Sequence, residues 1–112
     1  MATTSTLTSS EMGTVVTVII PVDKNGQVDR EPEPFRIFKG LHQQVLWKAS
    51  DSKAEFNIEF EEESPFEYKQ FSNLEPYSGL VRREVLGDKG KYYKYTVRTG
   101  KKSIDPGGVV NP

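Results

Sequence analysis

The chain has 112 residues, 15 basic and 16 acidic, with one histidine and no cysteine. That length suits one domain that buries its own core, and the lack of thiols excludes a disulfide framework, a thiolate metal site and a thiol redox centre. A net charge of −1 supplies no global field for nucleic acid or an anionic membrane, while 11% aromatic residues argue against disorder despite a mean hydropathy of −0.59.

Residues 1–12 read as a flexible polar tail, rich in Ser and Thr, without the basic and apolar regions of a secretion leader. Residues 13–112 read as one β-sandwich domain. Thr14 to Ile20 is β-branched throughout, which favours a strand covered on both faces. The longest apolar run, Val15 to Val22, is broken by Thr17 and Pro21 and falls far short of a ~20-residue span, so no membrane span is expected. Asp23-Lys24-Asn25-Gly26 is a turn signal. Val28 to Pro34, with two prolines, is an extended connector.

Phe35 to Lys39 forms a short strand closed by Gly40. Val45, Trp47 and Ala49 share one face of the next. Asp51-Ser52 turns the chain into the cleanest alternation in the sequence, with Phe56, Ile58 and Phe60 inward and Glu55, Asn57, Glu59 and Glu61 outward. Ser64-Pro65-Phe66 opens a crossover whose Phe66, Tyr68, Phe71 and Leu74 cover one end of the core, with room for one helical turn from Phe66 to Phe71. Leu80 to Leu86 reads as a further strand, ended by Gly87-Asp88-Lys89-Gly90. In the run that follows, Tyr93, Tyr95 and Val97 face inward and Lys94, Thr96 and Arg98 outward. Gly100-Lys101-Lys102 turns the chain, and Asp105-Pro106-Gly107 leads into Val109-Val110. About seven short strands with turn signals roughly every 8–12 residues predict an all-β, antiparallel two-sheet sandwich.

The succession Gly40…Val45-Leu46-Trp47, Phe56-Asn57-Ile58-Glu59-Phe60, Ser64-Pro65-Phe66, Gly90-x-Tyr92-Tyr93-Lys94-Tyr95-Thr96-Val97 and Asp105-Pro106-Gly107 resembles the small cupredoxin-like proteins of bacteria, from about Phe35 to Val110. The resemblance implies a Greek-key sandwich. In copper-binding members of that family a histidine opens the strand that here begins at Phe56, and a Cys, a second His and usually a Met lie around the last hairpin. None of these stands in this chain, and a blue-copper site needs a thiolate and two imidazoles. The resemblance therefore implies the fold without the metal, and no cofactor is expected.

His42 has no histidine partner and reads as a solvated loop residue. The acidic run Glu59-Glu61-Glu62-Glu63 lacks the loop pattern of a calcium site and reads as a charged strand edge. Arg82, Arg83, Lys89, Lys91, Lys94, Arg98, Lys101 and Lys102 gather positive charge around the last hairpin, interleaved with Tyr92 and Tyr95. The basic residues read as a plain solvated hairpin; the alternative is that this hairpin and the acidic strand serve as complementary patches for a protein partner or for self-association. Strand parity and turn position offer Tyr92, Tyr77 and Phe38 as exposed rings suited to an interface, with packing in the core or at its rim as the competing reading. The candidate interaction surface is Tyr77, Arg82, Arg83, Lys91, Tyr92, Lys94, Arg98, Glu59 and Glu61. No nucleophile elbow, phosphate loop or histidine-based catalytic set occurs. The expected function is a non-enzymatic, metal-free interaction or structural module, contacting a protein partner or built into a larger assembly. A module that binds a small ligand, glycan or peptide through aromatics near Phe66, Tyr68 and Tyr77 is the alternative. A cytoplasmic location is favoured.

Overall fold

In the computed structural model, residues 15–85 and 89–112 are described. The expected tail of residues 1–12 lies outside them. The described chain is all-β, with one 3-10 turn at Lys39–Leu41 and nine strands in three sheets. No helix among these residues is long and apolar enough to cross a membrane.

The first strand, β1 (Val15–Ile20), lies parallel to β3 (Gln44–Ala49), with Thr17 opposite Leu46 and Ile19 opposite Lys48. Between them the chain lays β2 (Phe35–Phe38) into another sheet, parallel to β9 (Gly107–Asn111), whose other side pairs antiparallel with β6 (Lys91–Lys94). The third sheet is antiparallel: β5 (Gln70–Ser72), β4 (Asn57–Glu59), β7 (Thr96–Thr99) and β8 (Lys102–Ile104), in that order. Two of the pairings are thus parallel, where an all-antiparallel arrangement was expected. Turn signals locate chain reversals, but not which strands then meet.

Local chemistry explains the punctuation. Asp23 Oδ1 accepts from the backbone N–H of Gln27 and Asn25, which holds its carboxyl below the ordinary aspartate range, and Gly26 takes the positive φ that the turn needs. At the far end of the same loop, the buried Thr99 hydroxyl accepts from Val28 N at 2.6 Å and ties it to β7. Pro76–Ser78 runs along the free side of β3, with Trp47 N donating to Pro76 O and Ser78 N to Val45 O.

Trp47, Phe56, Ile58, Phe60, Tyr93, Tyr95 and Val97 are buried as their alternation predicts. Trp47 lies at the centre, its ring 5.0 Å from Phe71, 5.6 Å from Tyr95, 6.2 Å from Phe60 and 6.3 Å from Phe66. Burial pushes the Tyr95 phenol above the tyrosine range, and the nearby Trp47 indole N–H offsets only part of this. The two groups influence each other electrostatically but lack hydrogen-bond geometry, and neither has another protein partner.

Several expectations need correction. β1 is covered on one face only: Val18 and Ile20 are buried, while Val15, Thr17 and Ile19 face out. The run from Lys91 to Thr99 is two strands in two sheets. The chain crosses at Tyr95, whose N–H donates to Pro106 O, and the crossing breaks the alternation so that Thr96 is buried rather than outward. No helical turn forms between Phe66 and Phe71. Both rings are core, but Tyr68 and Leu74 are exposed and cover nothing. Leu80 to Val85 is no strand. Val81 makes one bridge to Phe66, and Arg83-Glu84 turns. The remainder of that expected strand, from Leu86, lies outside the described residues.

Candidate interaction surface

Several of the charged residues singled out in the sequence pair with one another. Arg98, outward on β7, meets Glu59 of β4 at 3.1 Å and Glu61 at 2.9 Å, and these two carboxylates hold its guanidinium pKa up. Lys91 of β6 donates to Glu63 at 3.0 Å, which raises its ammonium pKa in the same way. Arg82 is a clamp: its Nε and Nη2 both donate to Ser64 O, and its backbone N–H donates to Pro65 O. Arg83 lies exposed on the following turn, where its carbonyl accepts from Lys39 Nζ. Arg98 and Lys91 thus meet the acidic run within the chain, at Glu59, Glu61 and Glu63.

Tyr92 and Lys94 border a cleft of about 350 Å³ together with Glu61, Glu62, Glu63 and Asp105. The Thr96 hydroxyl donates to Asp105 Oδ1 on its wall. The hydroxyl end of the Tyr92 ring occupies the space a Cβ of Gly107 would need, and the Phe35 ring occupies that of Gly108. This packing explains the consecutive glycines of β9: each surrenders its side-chain space to a ring. Tyr92 is exposed, and its ring also covers the β9 backbone at Gly107. Among the described residues, no group of three histidine, aspartate or glutamate side chains is placed to hold a metal ion. His42 ends the 3-10 turn in the left-handed region, exposed at φ 55°.

Tyr77 belongs to a different surface. It is bridged to Leu46, and Leu46 is in register with Thr17, so the three form one outward row across the β1–β3 sheet. Ile19 and Lys48 form the row on one side of it, Val15 and Gln44 the row on the other. Ile19 is 48% exposed and Tyr77 56%. Lys48 is the one charge among these seven residues, in a chain whose residues are 28% charged. On the outer face of β4 and β7, by contrast, Glu59 and Arg98 neutralise each other. Sequence reasoning found Tyr77 but missed Val15, Thr17, Leu46 and Ile19. The available signal is the unbroken β-branched run of β1, which by itself favours burial on both sides. Phe66, placed among the ligand-binding aromatics in the alternative reading, is core.

Compared with known proteins, the chain matches no family model, no curated protein and no solved structure.

Proposed function

We propose that the chain is a non-enzymatic, metal-free interaction module of cupredoxin-like, Greek-key sandwich type. It docks a protein partner, or takes its place in a larger assembly, through the outward face of the β1–β3 sheet. The observation that carries this reading is the contrast between two outer faces. The charged face of β4 and β7 satisfies itself through Arg98, Glu59 and Glu61, whereas the face of Val15, Thr17, Ile19, Leu46 and Tyr77 presents apolar and aromatic surface with one charge. Apolar patches bordered by polar residues mark interaction sites, and tyrosine is enriched there. The sheets packed around one aromatic core support the sandwich.

The test is co-purification of the tagged full chain from its native source, comparing wild type with an Ile19→Lys, Tyr77→Lys double variant. The proposal expects a stoichiometric partner that stays bound in about 0.5 M salt, where exposed charge pairs are screened, and that the variant loses. A partner released from wild type by that salt, or retained by the variant, would contradict it.

A further inference from the structure

The turn that follows β1 carries a reactive pair. Asn25 is followed by Gly26, and of the four asparagines in the chain it alone precedes a glycine: Asn57 is followed by Ile58, Asn73 by Leu74 and Asn111 by Pro112. A backbone amide nitrogen attacks the side-chain carbonyl carbon of a preceding asparagine to close a five-membered succinimide. The side-chain nitrogen leaves as ammonia and takes the amide proton with it. Water then opens the ring, adding its hydroxyl to one carbonyl carbon and its proton to the nitrogen, which gives aspartate or isoaspartate. Glycine, with no Cβ, leaves the approach open. Ile58 and Leu74 crowd it, and Pro112 has no N–H to lose. Asn25 is exposed in the turn.

The folded turn restrains this attack. Gly26 N donates to Asp23 O at 2.9 Å, so the attacking nitrogen is already engaged. Asp23 Oδ1 accepts from Asn25 N at 2.8 Å and from Gln27 N at 3.0 Å, and Asp23 N donates to Gln27 O at 2.8 Å. Asp23 therefore grips the residues on both sides of Gly26, which itself sits at φ +76°. The next residues are anchored as well: Val28 N donates to Thr99 Oγ1 at 2.6 Å, and Lys101 N donates to Gln27 Oε1 at 3.3 Å. Ring closure requires Gly26 N to leave Asp23 O. It therefore proceeds from the open turn, at a rate scaled by the fraction of time the turn is open.

We propose that Asn25–Gly26 is a self-modifying site that the turn built on Asp23 keeps unreacted, and that opening of this turn converts Asn25 to aspartate and isoaspartate. Either product adds a negative charge. Isoaspartate also adds one carbon to the backbone, so the bonds from Asp23 to Gly26 and Gln27 no longer all form, and the tie to Thr99 and Lys101 loosens. The change runs one way, because the ammonia is lost. The turn thus records how long the chain has spent open. It uses none of the residues of the β1–β3 docking face, so neither proposal stands or falls with the other.

The test holds the full chain at mildly alkaline pH, native and in guanidinium, and digests it with pepsin in acid, where the attack is suppressed. Mass spectrometry reads the change from amide to acid at each asparagine. Asn25 is expected to react about ten-fold or more faster in guanidinium than in the native chain, with Asn57 and Asn73 far behind it when unfolded. Asp23→Ala, checked for fold by circular dichroism, removes two hydrogen bonds to a carboxylate and is expected to raise the native rate about ten-fold. The wild-type comparison decides the matter even where that variant does not fold. No reaction at Asn25 in guanidinium, equal native and unfolded rates, Asn57 or Asn73 reacting as fast as Asn25 when unfolded, or a folded Asp23→Ala variant as slow as wild type would each overturn the proposal.

Discussion

Replacing Trp47 with alanine removes the side chain on which the core converges. The indole is fully buried and faces four rings, those of Phe60, Phe66, Phe71 and Tyr95, at 5.0–6.3 Å between centroids. Truncating a buried aromatic to alanine costs about 3–5 kcal/mol through lost burial and the cavity left behind. Lost ring pairs, at about 0.5–1.5 kcal/mol each, push toward the upper end. Working the other way, the indole N–H has no acceptor, so its removal recovers part of a desolvation cost of about 1–3 kcal/mol. The expected net loss is about 3–4 kcal/mol, a large share of the roughly 5–15 kcal/mol that holds a domain folded. Guanidinium unfolding followed by far-ultraviolet circular dichroism measures it. Fluorescence is unsuitable, since Trp47 is the sole tryptophan. Trp47→Phe keeps a ring, drops the orphaned N–H and is expected to cost less than about 1.5 kcal/mol. A loss below about 1 kcal/mol for Trp47→Ala would refute the central placement of this ring.

Tyr95→Phe removes a buried hydroxyl that has no protein partner, so it is expected to be neutral or stabilising in chemical denaturation; a loss above about 1 kcal/mol would show that the hydroxyl is satisfied. The same residue sets an alkaline limit. Burial raises its folded pKa above the ordinary 10.0, so above about pH 10 the unfolded chain gives up a proton that the native chain keeps. Stability is therefore fully present below that pH and falls as pH rises, by at most about 1.4 kcal/mol per unit from this group. The Tyr95→Phe variant should show a shallower decline, and identical profiles would contradict the assignment. Gly108→Ala drives a methyl group into the Phe35 ring and is expected to cost about 1–3 kcal/mol by overpacking, read as a lowered thermal midpoint. Arg98→Ala breaks both exposed ion pairs on β4 and β7. It should leave the midpoint almost unmoved, because screened surface pairs contribute little.

The core was legible because its signal is local. Phe56, Ile58 and Phe60 alternate with polar neighbours, and a period of two assigns their face whatever the strand pairs with. Trp47 follows from the same rule through Val45. Pairing was not legible, because hydrogen-bonding partners such as β1 with β3 and β2 with β9 are set by how the sheets assemble. The crossing at Tyr95 illustrates this. Local pattern reads Gly90 to Arg98 as one strand, but the chain changes sheets at Tyr95, whose N–H donates to Pro106 O. The charged residues misled for a related reason. Sequence shows Arg98 and Glu59 as separate runs, but antiparallel pairing of β4 and β7 makes them neighbours that neutralise each other. The apolar face escaped notice because β-branched residues look alike whether one side of a strand is buried or both.

Amide hydrogen exchange tests the account most directly when the free chain is compared with the same chain inside its native assembly. Docking on the β1–β3 sheet predicts new protection at Val15–Ile20, Gln44–Lys48 and Tyr77, and none at Arg98 or Glu59. Protection confined to the charged face of β4 and β7, or no change in β1, would contradict it.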